Sequence, residues 1–409
     1  MNRGQPAPEV SGSPVDALVV DVHIRSSVAG LRGLGRAGVA ALAVGPTQTS
    51  AGRWSRYATG TPVLPDPVAD RRGFVTELAR LARERGPFFA YPGREEGIEA
   101  ILDAEASEPL VHAPFPRAAL QQLRCKPALA DLAAEVNLGT PHTVAEGTAA
   151  ELLRHPPSLP CAVKSVEPIG ALKSTRVVET RRELQELLNV IEPETPLFVQ
   201  ERIRGPLLSV ALVVSREGQL CASFQHVARR TWPPRAGSSA LAVSVSPDES
   251  LIRRSARLLS ESGYWGLAEM DYLASSRGPV LIDVNTRFYG GLALPLACGV
   301  NLPAIWHATA RGDRVPTPGP YRCGVTYRWL EADLAALAHG TPQRLVQRPA
   351  RPAVGPMWAS DDPLPGPLLM ATALNGRRRK RLSALSRRPD PQRRPDAAAP
   401  SASARRVMP

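Results

Sequence analysis

Along residues 15–45 the apolar positions switch between short unbroken runs and a helical spacing. Leu18-Val19-Val20-Asp21-Val22 reads as a strand, 27–36 as a helix and 39–44 as a second strand. Strand–helix–strand alternation predicts a parallel sheet with crossover helices. Farther on, 74–85 has an amphipathic helical pattern, Phe88-Phe89-Ala90-Tyr91 is a strand ending at Pro92-Gly93, and 95–104 is a further helix. Helices at 127–137 and 147–154 flank a Gly139-Thr140-Pro141 turn, and strands at 161–166 and 197–203 bracket a helix near 180–190. After Gly205-Pro206 the pattern becomes antiparallel. Strands 209–215 and 219–225 join across Arg216-Glu217-Gly218, a helix spans 248–262, and 266–273 pairs with 279–284. Past about residue 335 Pro and Arg dominate, and 376–409 has the composition of a disordered segment.

One string needs a separate reading. Gly33-Leu34-Gly35-Arg36-Ala37-Gly38 has the spacing of a dinucleotide fingerprint. It closes a helix before the second strand instead of opening one after the first, so these glycines end a helix and turn the chain.

A chain of 409 residues holds two or three domains, and 43% apolar residues is an ordinary globular fraction. The net charge of +12 resides mostly in the tail: residues 376–409 contribute +9, leaving the body near +3. The tail lacks interleaved aromatics, so nucleic acid is not an expected partner, although an Arg-rich tail can bind phosphate backbones without specificity. Five scattered cysteines without a CxxC pair give neither a disulfide framework nor a zinc site, and fit the cytoplasm. Residues 1–14 lack the apolar stretch of a signal peptide. Residues 288–310 carry no Lys, Arg, Asp or Glu, yet Pro295, Asn301, Pro303, His307 and three glycines mark a buried helix and turn, not a membrane span.

The chemistry concentrates near Asp271 and Leu281-Ile282-Asp283-Val284-Asn285-Thr286-Arg287. Alternation of Leu281, Asp283, Asn285 and Arg287 on a strand is expected to turn all four to one face. Two carboxylates and an amide oxygen suit a hard divalent cation that leaves room for phosphate oxygens, and an adjacent Arg can hold the charge of a transferred phosphoryl group. The plain alternative is a charged surface strand, but the motif ends an apolar run and leads into Gly290-Gly291. Lysine is scarce: of 50 Lys plus Arg only Lys126, Lys164, Lys173 and Lys380 are Lys. A point charge on a phosphate is one task for which Arg does not substitute.

In this order the chain resembles an ATP-grasp enzyme, and within that superfamily the predicted carboxylate–amine ligases with a Rossmann-like first domain. The strings that carry the resemblance are Ser55-Arg56-Tyr57, Lys126-Pro127, Gly139-Thr140-Pro141, Val163-Lys164, Val199-Gln200-Glu201-Arg202-Ile203-Arg204-Gly205, Gly266-Leu267-Ala268-Glu269-Met270-Asp271-Tyr272, Asp283-Val284-Asn285-Thr286-Arg287 and Asp361-Asp362-Pro363-Leu364-Pro365. The fold implied is α/β. A Rossmann-like domain at 15–115 precedes a two-lobed α+β ATP-grasp body with a small lobe at 116–198 and a large lobe at 199–335. A C-terminal extension at 336–375 packs on the body, and a disordered basic tail follows at 376–409.

The resemblance implies that Lys126, Lys164 and Lys173 bind ATP phosphates and that Gln200, Glu201 and Ile203 form the adenine-holding hinge. Asp271, Asp283 and Asn285 would bind two Mg²⁺ ions, for which Mn²⁺ can substitute, and Arg287 would stabilise the phosphoryl in flight with Lys164. The reaction implied is activation of a small carboxylate as an acyl phosphate and its capture by an amine, releasing ADP and phosphate. The cytoplasm is the expected location, and the fold implied is one that often forms a homodimer. The chain departs from its relatives in having Asp at 283 where Glu is usual, one glycine (Gly170) in the phosphate loop, and Leu207-Leu208 where an acid often grips the ribose. For the acceptor, the sequence offers His226, Arg229 and Arg230 beside Trp232. The rival reading is a non-catalytic ATP-binding scaffold or regulator of the same fold.

Overall fold

The computed structural model describes residues 15–165, 175–315, 318–338 and 353–372. The expected phosphate loop with Lys173, and the basic tail, lie outside the described residues. The chain divides into units at Met1–Met370 and Ala371–Pro409, and the architecture below belongs to the first.

A five-stranded parallel sheet comes first. Its strands are β1 (Ala17–Val19), β2 (Ala41–Ala43), β3 (Ala58–Gly60), β4 (Phe88–Tyr91) and β5 (Val111–His112), in the order β3-β2-β1-β4-β5. Helices α1 (Arg25–Arg36), α2 (Arg71–Arg85) and α3 (Glu95–Ser107) connect them. The central β1 is fully buried, which is why its sequence is a continuous apolar run without alternation. Two helices follow, α4 (Arg117–Arg124) and α5 (Lys126–Glu135).

A four-stranded antiparallel sheet is next, in the order β6-β9-β7-β8. It comprises β6 (Thr143–Thr148), β7 (Cys161–Ser165), β8 (Arg176–Val178) and β9 (Pro196–Glu201), with α6 (Ala149–Arg154) and α7 (Arg181–Leu188). The sequence predicted a helix already at 147. Thr148 instead caps α6 in a capping box with Glu151, and the residues before it form β6. Strand β6 is a mostly polar edge strand without the apolar alternation that reveals a strand.

The third sheet is six-stranded and antiparallel, in the order β14-β13-β10-β11-β12-β15. Its strands are β10 (Leu207–Val214), β11 (Leu220–Trp232), β12 (Ser238–Ser244), β13 (Gly266–Ser275), β14 (Gly278–Asn285) and β15 (Thr326–Arg328). Its helices are α8 (Glu249–Glu261), α9 (Ala293–Cys298), α10 (Leu302–Arg311) and α11 (Leu330–Ala338). Strand β11 runs past the expected end at 225 because irregular pairing near 228–231 lets it follow β12 through a bend. The uncharged stretch at 288–310 forms α9 and most of α10, and no described helix is long and apolar enough to cross a membrane.

The parallel and six-stranded sheets share one apolar core, whereas the four-stranded sheet has its own, built on Leu152, Val163, Leu184, Leu197 and Val199. The shared core is tied by aromatic contacts: the Phe288 ring lies 5.8 Å from that of Tyr91 and 5.4 Å from that of Trp306. Gly30 makes room for this arrangement, since a Cβ there would collide with Phe288. Gly33 and Gly35 do the same against Pro303 and Tyr57, so the fingerprint-like glycines are packing positions.

A segment near the C-terminus clasps the first sheet. Buried Arg32 donates to Asp362 Oδ2 (2.9 Å) and to the carbonyls of Pro356, Met357 and Asp362. Asp362 also accepts from Ser55 Oγ and the Arg56 backbone N–H, while Asp361 accepts from Arg36 and Tyr57 Oη. Two sequence strings 300 residues apart, Ser55-Arg56-Tyr57 and Asp361-Asp362, are thus two sides of one contact.

Gly30→Ala should destabilise the protein by about 1–3 kcal/mol despite alanine's better helix propensity, because the added methyl overpacks a closed aromatic core. Urea denaturation checks this. Pairing the change with Phe288→Leu should recover part of the loss, and an additive double variant would sink the explanation.

Candidate functional site

Strands β13 and β14 place Asp271 directly opposite Asp283, and Glu269 opposite Asn285. On the other side of β13, Ser209 of β10 stands opposite Asp271, and His226 of β11 stands opposite Ser209. Directly opposed residues share a face, so Asp283, Asp271, Ser209 and His226 form one polar row across four strands. Ser209 Oγ donates to Asp271 Oδ1 at 2.5 Å.

The expectation that Leu281 shares the face of Asp283 needs correction. The pairing shifts so that Asp271 meets Asp283 while Tyr272 meets Leu281, which leaves Ile282 as an extra residue. Such a bulge reverses the facing of the residues on either side. Leu281 therefore packs into the core while Asp283 faces the cleft.

The two lysines arrive from different elements. Lys126 opens α5, and its Nζ lies 3.3 Å from Asp283 Oδ1. Lys164, on β7, donates to the freed carbonyl of Ile282 at 3.2 Å. Desolvation in the cleft raises the Asp283 carboxyl, but Lys126 and Lys164 outweigh it and hold it below the usual range. Burial, with Lys126 nearby, lowers Lys164 to about 8. Asp271 has no lysine partner among the described residues: burial raises it to about 7, the Ser209 hydrogen bond opposes this, and the Asp283 charge adds to it. Burial and the Asp271 charge raise Glu269 as well.

Arg287 lies just past the end of β14. Its Nε donates to Glu95 Oε1 at 2.8 Å and its Nη2 to Asn285 Oδ1 at 2.9 Å. The next residue, Phe288, is fully buried, and its backbone N–H bonds the Pro92 carbonyl. The aromatic core thereby fixes where the guanidinium stands.

Among the described residues no group of three or more His, Cys, Asp or Glu is arranged as a metal cage. The opposed pair Asp271 and Asp283 with the Asn285 oxygen fits instead a cation such as Mg²⁺, which takes few protein ligands and keeps water and phosphate oxygens.

Of the residues expected to form a hinge, Gln200 is buried on β9 and donates to Pro141 O, Glu201 is paired with Arg277, and Ile203 lies in the link from β9 to β10. Gly205 in that link passes so close to the Ala274 carbonyl that a Cβ would collide with it. The three residues expected to meet the acceptor have different surroundings. His226 is buried in the polar row, with no hydrogen-bond partner for Nδ1 among the described residues. Arg229 sits exposed where the pairing of β11 is irregular, and Arg230 is held by Asp333, which also binds Arg328 at 2.5 Å. Sequence reasoning assigned no role to Ser209, Glu95 or Glu269. Ser209 is found only through strand pairing, and Glu95 stands 192 residues from its partner.

Residues 193–332 match a protein family described as ATP-grasp in the biosynthetic pathway with Ter operon. A search of curated proteins finds no match. Among solved structures, the chain is similar to the biotin carboxylase domain of Hydrogenobacter thermophilus 2-oxoglutarate carboxylase, a dimer in complex with MgADP, ADP and bicarbonate. The TM-score is 0.58 at 15% identity, covering 77% of this chain and 74% of that one. It is also similar to an L-amino acid ligase from Bacillus licheniformis (TM-score 0.55, 15% identity, 73% and 75% covered). A third similar structure is Campylobacter jejuni biotin carboxylase in its β,γ-ATP complex (TM-score 0.57, 15% identity, 76% and 74% covered). At these identities the likeness is one of fold.

Burial lowers His226 from 6.5 to about 4. Between those values the unfolded chain binds a proton that the folded chain refuses, so stability is full above pH 6.5 and falls as the pH drops toward 4. His226→Gln should remove about 2–3 kcal/mol of the stability lost between pH 7 and pH 4.5. Urea midpoints at both pH values test it. Equal losses in the two proteins would mean that His226 titrates normally.

Proposed function

Taking as premise that the chain is an ATP-grasp superfamily protein, we propose that it is an ATP-dependent carboxylate–amine ligase. The observation that carries this reading is the convergence of Lys126 and Lys164 on the Asp283 end of an opposed carboxylate pair, with Arg287 beside it. That set supplies a metal face and three cations for a nucleotide's phosphates.

In the proposed reaction a carboxylate oxygen attacks the γ-phosphorus of ATP, the bond to the bridging oxygen breaks, and ADP leaves. An amine nitrogen then attacks the acyl carbon of the acyl phosphate. The carbon–oxygen bond to phosphate breaks, the nitrogen loses a proton to solvent, and an amide and phosphate remain. Lys126 and Lys164 would hold the phosphates, and Arg287 would gather charge on the phosphoryl in flight. Asp271, Asp283 and Asn285 would hold Mg²⁺, which neutralises phosphate charge when bound. The stretch 200–203 would receive the adenine. The parallel order β3-β2-β1-β4-β5 follows five strands of the doubly wound order 3-2-1-4-5-6 and supports reading residues 15–115 as Rossmann-like. The separate core of the four-stranded sheet, built on residues between Ala149 and Val199, supports a small lobe over β6 to β9, while α4 and α5 pack on the shared core.

Mg-ATP at a hundredfold excess over its dissociation constant should stabilise the protein by about 2.7 kcal/mol. A rise in melting temperature that disappears with EDTA or in Asp283→Ala supports the ligase site and leads to screening carboxylate–amine pairs for ADP release. No rise in the wild type removes the nucleotide from this reading. Binding without turnover across such a screen favours the scaffold.

A further inference from the structure

Helix α3 carries Glu95, Glu99 and Asp103 four residues apart, which stacks them along one face. Each meets an arginine from another element. Glu95 Oε1 takes the Nε of Arg287 at 2.8 Å, and its Oε2 takes Nη2 of Arg124 at 2.8 Å. Arg124, on α4, also binds Glu99. Arg71, on α2, lies 3.7 Å from Glu99 and 2.6 Å from Asp103. Charge alternates along the whole ladder, and its last rung is the arginine beside the carboxylate pair.

We propose that Glu95 is a positioning residue for phosphoryl transfer, a role that rests on the nucleotide reading above. A guanidinium has a fixed planar fork, so the carboxylate that takes one edge sets the direction of the rest. Glu95 takes Nε, and Asn285 takes Nη2 from the metal strand. Arg287 is therefore suspended between Glu95 of α3 and Asn285 of β14, its Nη1 also donating to the Phe288 carbonyl at 3.4 Å. Arg124 completes the device. Because it binds the other oxygen of Glu95 and is itself anchored on Glu99, the acid keeps its place when Arg287 engages an incoming phosphate. Without Glu95 the cation remains but its aim does not.

A γ-phosphate contact is read by comparing Mg-ADP with the Mg complex of the β,γ-imido analogue of ATP, titrated calorimetrically into the full chain. Glu95→Gln keeps the shape and removes the charge. It should reduce the preference for the analogue over ADP about tenfold, the size of one charge-assisted hydrogen bond, and change ADP affinity less than about twofold. Arg287→Ala should lose the same preference. Glu77→Gln, at a carboxylate of α2 that pairs with Arg80 outside the ladder, should stay within about twofold of wild type. Melting temperature without nucleotide reports folding; if Glu95→Gln does not fold, Arg124→Met, which frees only the outer oxygen, must lower the preference in the same direction. An unchanged preference in a folded Glu95→Gln protein overturns the proposal and leaves the nucleotide site standing. A wild type that binds neither nucleotide overturns both.

Discussion

Two carboxylates set directly opposite each other on adjacent strands repel, and Asp271 and Asp283 occupy that arrangement. Much of the cleft answers this repulsion. Lys126 sits against Asp283, Ser209 donates to Asp271, and Lys164 takes the neighbouring backbone carbonyl. The answer is uneven, since both lysines lie on the Asp283 side while Asp271 is left with a neutral hydroxyl. A site so divided has one firmly ionised carboxylate and one whose charge depends on what approaches it. A divalent cation would satisfy both at once.

The bulge at Ile282 shows how a small backbone irregularity serves the site. Without it, period-two alternation would put Leu281 on the cleft face with Asp283. With it, Leu281 reaches the core, and the carbonyl it frees points to Lys164. Arg287 is placed by a similar economy. Its neighbour Phe288 is packed among Tyr91, Trp306 and the gap left by Gly30, so a closed part of the shared core stands one residue from the guanidinium.

What the sequence revealed follows from which interactions are local. Asp271, Asp283, Asn285 and Arg287 fall within seventeen residues, and the scarcity of lysine singled out Lys126 and Lys164, which do meet at Asp283. The strands β1, β2 and β4 were legible because burial makes their sequence an unbroken apolar run, and the hairpins of the large sheet because turn residues separate their apolar strands. Strand β6 was missed because an exposed edge imposes none. The bulge was missed because it is a property of pairing between strands, which no single strand's composition records. Ser209, His226 and Glu95 acquire neighbours only through register or through contacts between helices and loops far apart in the chain. The paired arginine Arg230 illustrates the converse. An Arg-Arg-Thr-Trp string suggests a clamp, but Asp333 lies a hundred residues on and already holds one of the two.

The clasp between Arg32 and Asp362 has a consequence for how this protein is made. Arg32 leaves the ribosome 330 residues before the carboxylate that neutralises it. A guanidinium cannot be buried alone without a large desolvation cost. The segment at 356–362 both covers Arg32 and supplies the carboxylate and carbonyls that satisfy it, so the charge leaves water only as its partners arrive. A chain cut before Asp362 would leave Arg32 in water and the Ser55-Arg56-Tyr57 turn without its anchor.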